Sequence, residues 1–257
     1  MKRILVPTDF TEYSEFAIES AVGLAKKSGG KIVLFHVLKR QESEEEALQQ
    51  LENSEAKSYF QSVPHEHEIC RGNEIEAITS AKADVIVMGS KGAQGLKSFF
   101  IGTNAERIAK HSDSPVITVK DKTDLGNIKS IVYPTDMRTE QELIMPYLKE
   151  LQLFYGANLH LLKVYDDGVV QRRTVEDRLR NFAGKCELTD FSVSARTNIN
   201  ESDAIIEFAE EVHADMIAIS THDRMGIGSL VSGFISGGVI NKAPIPIWSK
   251  TIPVENV

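Results

Sequence analysis

Two tandem doubly wound α/β domains, each built on a five-stranded parallel sheet, are predicted for this chain by three observations. The sequence repeats itself: ILVPTD at 4–9 returns as IVYPTD at 131–136, and KIVLFHV at 31–37 as NLHLLKV at 158–164, both displaced by 127 positions. In each half, short apolar runs rich in β-branched residues alternate with stretches of helical period. The connections between these runs are long enough to hold a helix, which demands parallel strands, right-handed crossovers and helices on both sheet faces.

Taken in order, RILVP (3–7) is the first strand, and the helix after it places Ile18, Ala21, Val22 and Ala25 on one face. Thr11 or Ser14 is its N-cap, and Gly29-Gly30 closes it. KIVLFHV (31–37) is the second strand, with His36 inside it as a buried or half-buried structural side chain. The acidic helix that follows is expected to pack through Leu48, Leu51, Tyr59 and Phe60 and to turn its carboxylates to solvent. EHEIC (66–70) is the third strand, a short helix from Asn73 leads to ADVIVM (83–88) as the fourth, and SPVITVK (114–120) is the fifth after a helix at 104–111. A polar segment, DKTDLGN (121–127), reads as the linker between domains 1–120 and 128–257.

The second half follows the same plan with one insertion. ADVIVMGS (83–90) matches ADMIAIST (214–221) at a displacement of 131, so four residues have been gained. They fall in the helix that reads NEIEAITSAKAD in one half and NESDAIIEFAEEVHAD in the other. Four residues are about one helical turn, so the helix lengthens while its apolar face stays in register.

Composition narrows the function. The formal net charge is −8, with 15 basic and 17 acidic residues in 1–120 and 14 and 20 in 121–257, so no basic stripe marks a nucleic-acid binder. No run approaches the roughly 18 apolar residues of a membrane span. Cys70 and Cys186 form no CxxC spacing, which points to neither a disulfide framework nor a zinc site, and a cytoplasmic location is expected. His65 and His67 alternate on a strand at a spacing compatible with a metal, but surface histidines on an edge strand are the commoner reading. No nucleophile elbow, Ser/His/Asp set or paired-carboxylate motif is recognisable.

The distinctive segment is GSKGAQGLKSFFIGTN (89–104), at the end of the fourth strand. It fits neither GxxxxGK[ST] nor GxGxxG. Its pattern is Gly89-x2-Gly92-x9-Gly102-Thr103. Glycines at 89 and 92 let the backbone approach an anion closely, and Gly102-Thr103-Asn104 opens a helix whose first N–H groups are free. Thr103 with Glu106 also forms a capping box, so a purely structural role for Thr103 stands beside the binding one.

With PTD closing the first strand, this pattern resembles the universal stress protein family, whose nucleotide-binding members carry G-x2-G-x9-G-[S/T]; the whole chain resembles the tandem type. The resemblance implies the adenine nucleotide alpha hydrolase-like fold, strand order 3-2-1-4-5, and two domains paired through their fifth strands as a pseudo-dimer. It implies an ATP- or AMP-binding protein of stress response or signalling, holding ATP (or AMP or ADP) with Mg2+ and at most hydrolysing it slowly. Pro7, Thr8 and Asp9 would line the adenosine side, Val37 would offer backbone groups to adenine, and Met88 and Gly89 would floor the ribose, with Ser90 also among the cofactor-binding residues. Gly92, Gly102, Thr103 and Asn104 would hold phosphates. Ala105 stands where the family often has a hydroxyl. A protein partner of unknown identity is implied, a homodimer is left open, and the rival reading is a nucleotide-independent scaffold with a vestigial cleft.

The second half serves as a control. It keeps PTD at 134–136, Gly226 and Gly233, but has Ser220 for Gly89, Asp223 for Gly92 and Phe234 for Thr103. A carboxylate where a phosphate should lie costs about 4 kcal/mol at ~4 Å and an effective dielectric near 20, roughly a thousandfold in affinity. The second domain is therefore not expected to hold ATP in the same way. THDR (221–224) is a lesser candidate for a small-ligand or metal site there.

Overall fold

The computed structural model describes residues 1–90, 104–165, 171–198, 200–222 and 238–252, and divides into two units, Met1–Asn127 and Ile128–Val257. The first runs β1 (Arg3–Pro7), α1 (Glu12–Ser28), β2 (Lys31–Leu38), α2 (Glu44–Glu55), a 3₁₀ turn (Ser58–Ser62), β3 (His65–Arg71), α3 (Glu74–Ser80), β4 (Val85–Gly89), α4 (Asn104–His111) and β5 (Val116–Val119). Its strands lie in the order β3-β2-β1-β4-β5, and every pairing is parallel.

The second unit runs β6 (Ser130–Pro134), a 3₁₀ segment (Thr139–Ile144), α5 (Met145–Tyr155), β7 (Asn158–Tyr165), α6 (Arg172–Lys185), β8 (Phe191–Thr197), α7 (Glu201–Glu211), β9 (Met216–His222), helical residues 238–242 and β10 (Ile247–Ile252). Its order, β10-β9-β6-β7-β8, repeats that of the first unit, again all parallel. Among the described residues no helix is long and apolar enough to cross a membrane.

The central strands are apolar along their length because both faces are covered. Ile4, Leu5, Val6, Val85, Ile86 and Val87 are all completely buried, as are Ile131 and Val132 in the second unit. Each such side chain contributes about 1.5–3 kcal/mol of burial.

Several local devices occur twice, at equivalent positions. Asn73 and Asn200 cap α3 and α7, whereas the Thr11 cap of α1, accepting from Ser14 N, has no side-chain counterpart on α5. Gly29 and Gly156 end α1 and α5 in the left-handed conformation, at φ 66° and 65°, where a Cβ would be strained. Asp84 accepts from the backbone N–H of Lys2 and Arg3, and Asp215 from those of Lys129 and Ser130, so one carboxylate fixes the entry to each unit's first strand. The inserted turn is visible as α3 with 7 residues against α7 with 11.

Two sequence expectations need correction. Leu48 is exposed, and Ala47 with Leu51 forms the buried face of α2. α2 stops at Glu55, and Phe60 is buried from the separate 3₁₀ turn. The segment 121–127 packs on the first unit: Leu125 is fully buried, Thr123 N donates to Ser20 Oγ at 2.9 Å, and a Cβ on Gly23 would meet Gly126 N at 2.9 Å. Pro244 and Pro246 lie just before β10, which begins at Ile247.

A candidate ligand cleft at the strand-order reversal

β1 lies between β2 and β4, so the chain leaves β1 in one direction across the sheet and returns to β4 in the other. The crossovers therefore place α1 and α2 on one face and α3 and α4 on the other. The gap beyond the carboxyl ends of β1 and β4 is where open α/β sheets take ligands. Here it is a cleft of about 530 Å³.

Eight of the eleven sequence-predicted residues line it: Pro7, Thr8, Asp9, Val37, Met88, Gly89, Ser90 and Asn104. The other three, Gly92, Gly102 and Thr103, lie outside the described residues, as do Lys91, Gly95 and, in the second unit, Asp223, Gly226, Gly233 and Phe234.

The β1 end is a tightly bonded turn. Thr8 Oγ1 accepts from Phe10 N at 3.2 Å and lies 3.2 Å from Ser14 Oγ, while Thr11 donates to Asp9 Oδ1 through both its amide (3.2 Å) and its hydroxyl (2.6 Å). Phe10 sits at φ 63°, and its counterpart Met137 at φ 61°, so this turn is required in both units. Burial pushes the Asp9 carboxyl up, but the Thr11 bonds outweigh it and hold the group below its ordinary value. Asp9 is therefore an anion at neutral pH.

Val37 follows from ladder parity. Thr8 N donates to Phe35 O, so alternate β2 residues face β1, and Val37 is the next of them. Because β1 has ended at Pro7, Val37 turns its N–H and C=O toward the cleft.

Gly89 has a packing reason as well as a place in the cleft. A Cβ there would lie 2.0 Å from Tyr13 O, so the first turn of α1 presses directly on the end of β4. The second unit tolerates Ser220 because its helix starts later. Pro146, near the N-terminus of α5, removes a backbone donor and crowds the carbonyl four residues back, and the preceding turn is 3₁₀. Gln141 from that turn, at the position of Ser14, fills the space.

At the other end Asn104 opens α4, and its Nδ2 donates to Glu74 Oε2 at 3.1 Å. The residue expected to face phosphate is thus tied to a carboxylate that also lines the cleft. Sequence reasoning did not find Glu74, Tyr13, Ser14, His36, Lys39 or Arg40 as lining residues. The signal for His36, Lys39 and Arg40 was their position at and beyond the carboxyl end of β2, which the strand order alone turns into a wall of the cleft.

The histidine pair on β3 is accounted for by protein partners: His65 Nδ1 lies 3.0 Å from Val63 O, and His67 Nδ1 3.1 Å from Glu55 Oε1. Among the described residues no group of three or more His, Cys, Asp or Glu is placed to hold a metal ion.

Comparison with known proteins agrees with this architecture. A universal stress protein of Synechocystis, Slr1230, is 24% identical over an alignment covering 96% of this chain and 99% of its own. The Methanocaldococcus jannaschii universal stress protein MJ0577 is 29% identical over 47% of this chain and 96% of its own. Among solved structures, a universal stress protein from Archaeoglobus fulgidus superposes with a TM-score of 0.75 at 21% identity, covering 97% of this chain and 96% of that one, a likeness of fold. The family model described as the universal stress protein family matches residues 1–120 and 189–248, which is more than half of the chain. On that match, with the 3-2-1-4-5 order repeated in both units, this chain belongs to the universal stress protein family.

Proposed function

We propose that the first unit binds an adenine nucleotide, ATP or AMP or ADP, with Mg2+ accompanying the polyphosphates, and that the protein acts in stress response or signalling through a surface that responds to occupancy. One observation carries the reading: residues from three separate stretches, Pro7–Asp9, Val37 and Met88–Ser90, converge with Asn104 on one cleft at the reversal of strand order. Its chemistry suits a nucleoside. Apolar Phe35, Met88 and Ile78 offer surface for a base, the outward Val37 amide and carbonyl can read a base edge, and the Asp9 carboxylate can accept from ribose hydroxyls. The N-terminus of α4 supplies a positive dipole end for phosphate. A cytoplasmic location suits such a role.

The test is to denature the purified protein and identify any released nucleotide, then titrate ATP into wild type and Gly92→Asp. Retained adenine nucleotide, or ATP binding that falls by roughly a thousandfold in the variant, is the expected result. Neither retained nucleotide nor binding at millimolar ATP overturns the proposal.

A further inference from the structure

His36 is 2% exposed, yet both ring nitrogens have oxygen partners: Nδ1 lies 2.7 Å from Thr8 O and Nε2 3.0 Å from Glu42 Oε1. A backbone carbonyl carries no proton, so Nδ1 must donate. Glu42 Oε2 accepts from Lys39 N at 2.9 Å. That backbone bond, the largest cause, holds the Glu42 carboxyl below its ordinary value despite some burial. Glu42 is therefore a carboxylate, which only accepts, and Nε2 must donate as well. The geometry asks for two protons on His36.

We infer that His36 is a positioning residue of the cleft: as an imidazolium bridge it fastens the Thr8–Asp9 turn to the Lys39–Glu42 connection, and ligand affinity follows its second proton. The effect on ligand rests on the nucleotide reading above. Thr8 and Asp9 on one side, and Lys39 and Arg40 on the other, all line the cleft, so the bridge joins two of its walls. The Phe10 ring lies over the imidazole, with centroids 4.5 Å apart, and closes that face to water. At the same register the second unit has Lys163, so the position holds a nitrogen donor in both.

The elements packed against β2 and its ends carry a defined set of titratable and charged groups. Asp9 comes from the β1 turn, and Lys39, Arg40 and Glu42 from the β2–α2 connection. α1 contributes Glu12 and Glu15, the latter held by Tyr59 and Lys57 from the 3₁₀ turn. α2 contributes Glu44, Glu45 and Glu46 in its first turn, α3 contributes Glu74 and Glu76, and β3 brings Cys70 and Arg71 alongside Val37 and Leu38. Only Glu42 forms an ion pair with His36 among the described residues. The sign follows. The bridge is lost as rising pH removes the Nε2 proton and sets a lone pair against the carboxylate, and lost again in acid as Glu42 falls through its lowered value and is protonated.

The test uses the full-length, ¹⁵N-labelled protein. Long-range ¹H–¹⁵N correlation reads both His36 nitrogens across about pH 5 to 9, and calorimetry measures ATP affinity at the same pH values for wild type, His36→Gln and Glu42→Gln. The expected result is an imidazolium signature at neutral pH in the free protein. ATP affinity should fall about tenfold on the alkaline side with the same midpoint. His36→Gln should lose that step while keeping the titration that belongs to ATP itself, and Glu42→Gln should move the midpoint to lower pH. A singly protonated ring at neutral pH, or an unchanged pH profile in His36→Gln, overturns the inference. If His36→Gln does not fold, Glu42→Gln decides: an unmoved midpoint overturns it. An imidazolium signature without ATP binding in any variant supports the bridge and overturns the nucleotide reading alone.

Discussion

Gln141 Nε2 donates a 2.9 Å hydrogen bond to Ser220 Oγ, across the gap that in the first unit separates Ser14 from Gly89. The same Gln141 accepts from the buried Tyr133 hydroxyl and lies 3.4 Å from Thr135 Oγ1. Burial, the largest cause, holds the Tyr133 phenol far above its ordinary value, so it remains a neutral donor. One side chain thus joins the ends of β6 and β9, where the first unit has its candidate cleft.

Gln141→Ser restores the residue of the first unit and leaves the completely buried Tyr133 hydroxyl without its acceptor. The expected cost is about 1–3 kcal/mol, the penalty for an unsatisfied buried polar group. Adding Tyr133→Phe removes the stranded donor and should recover most of it. Urea unfolding of both variants checks this, and a double variant no more stable than the single one would contradict it.

Gly89→Ala places a methyl group 2.0 Å from Tyr13 O, an overlap that only movement of α1 can relieve. Forced overpacking typically costs about 1–3 kcal/mol. The reverse change in the second unit, Ser220→Gly, loses a hydrogen bond and should cost about 1 kcal/mol. Thermal unfolding of the pair distinguishes a glycine retained for helix packing from one retained only for ligand.

Much of this arrangement was legible in the sequence, for identifiable reasons. The offset of 127 between ILVPTD and IVYPTD, and the shift to 131 after one added helical turn, are properties of chain order, and they fixed the repeat and the helix that differs. Pro7, Thr8, Asp9 and Met88 were found because they terminate strands, and strand ends are what the order 3-2-1-4-5 brings together. What remained hidden depends on contacts across the fold. Ser220 alone suggested that the fold does not need Gly89. The structure shows that it does need Gly89 wherever a full α-helical turn begins at Glu12, and Pro146 removes that turn in the other copy. Glu74 looked like a first-turn acid of a short helix, and only the packing of α3 against α4 brings it to Asn104.

Asp84→Asn tests the clamp on β1. Two backbone N–H groups, of Arg3 and then Lys2, hold the Asp84 carboxyl below its ordinary value. A carboxylate depressed on folding contributes stability that is fully present above the unfolded value near pH ~3.9, and loses it as pH falls through the folded one. Because Asp84 is exposed, solvent screening limits the effect to about 1 kcal/mol. Unfolding free energies measured from neutral pH to about pH 2 should show wild type and variant converging in acid. A constant difference across that range would place the effect in packing rather than charge.

Glu74 sets a carboxylate beside the amino end of α4, where the proposed nucleotide directs its phosphates. The first helical turn there favours an anion, but a fixed negative charge nearby opposes one. Glu74 is exposed, so the repulsion takes place in a high dielectric and amounts to about 1 kcal/mol at 4 Å. Glu74→Gln keeps an acceptor for Asn104 Nδ2 while removing the charge. ATP affinity should therefore rise about fivefold, with the gain shrinking as salt is raised. Adenosine, which carries no phosphate, should bind wild type and variant alike. A gain of the same size for adenosine would place the effect in the shape of the cleft, and no gain for ATP would mean that its phosphates lie away from the start of α4.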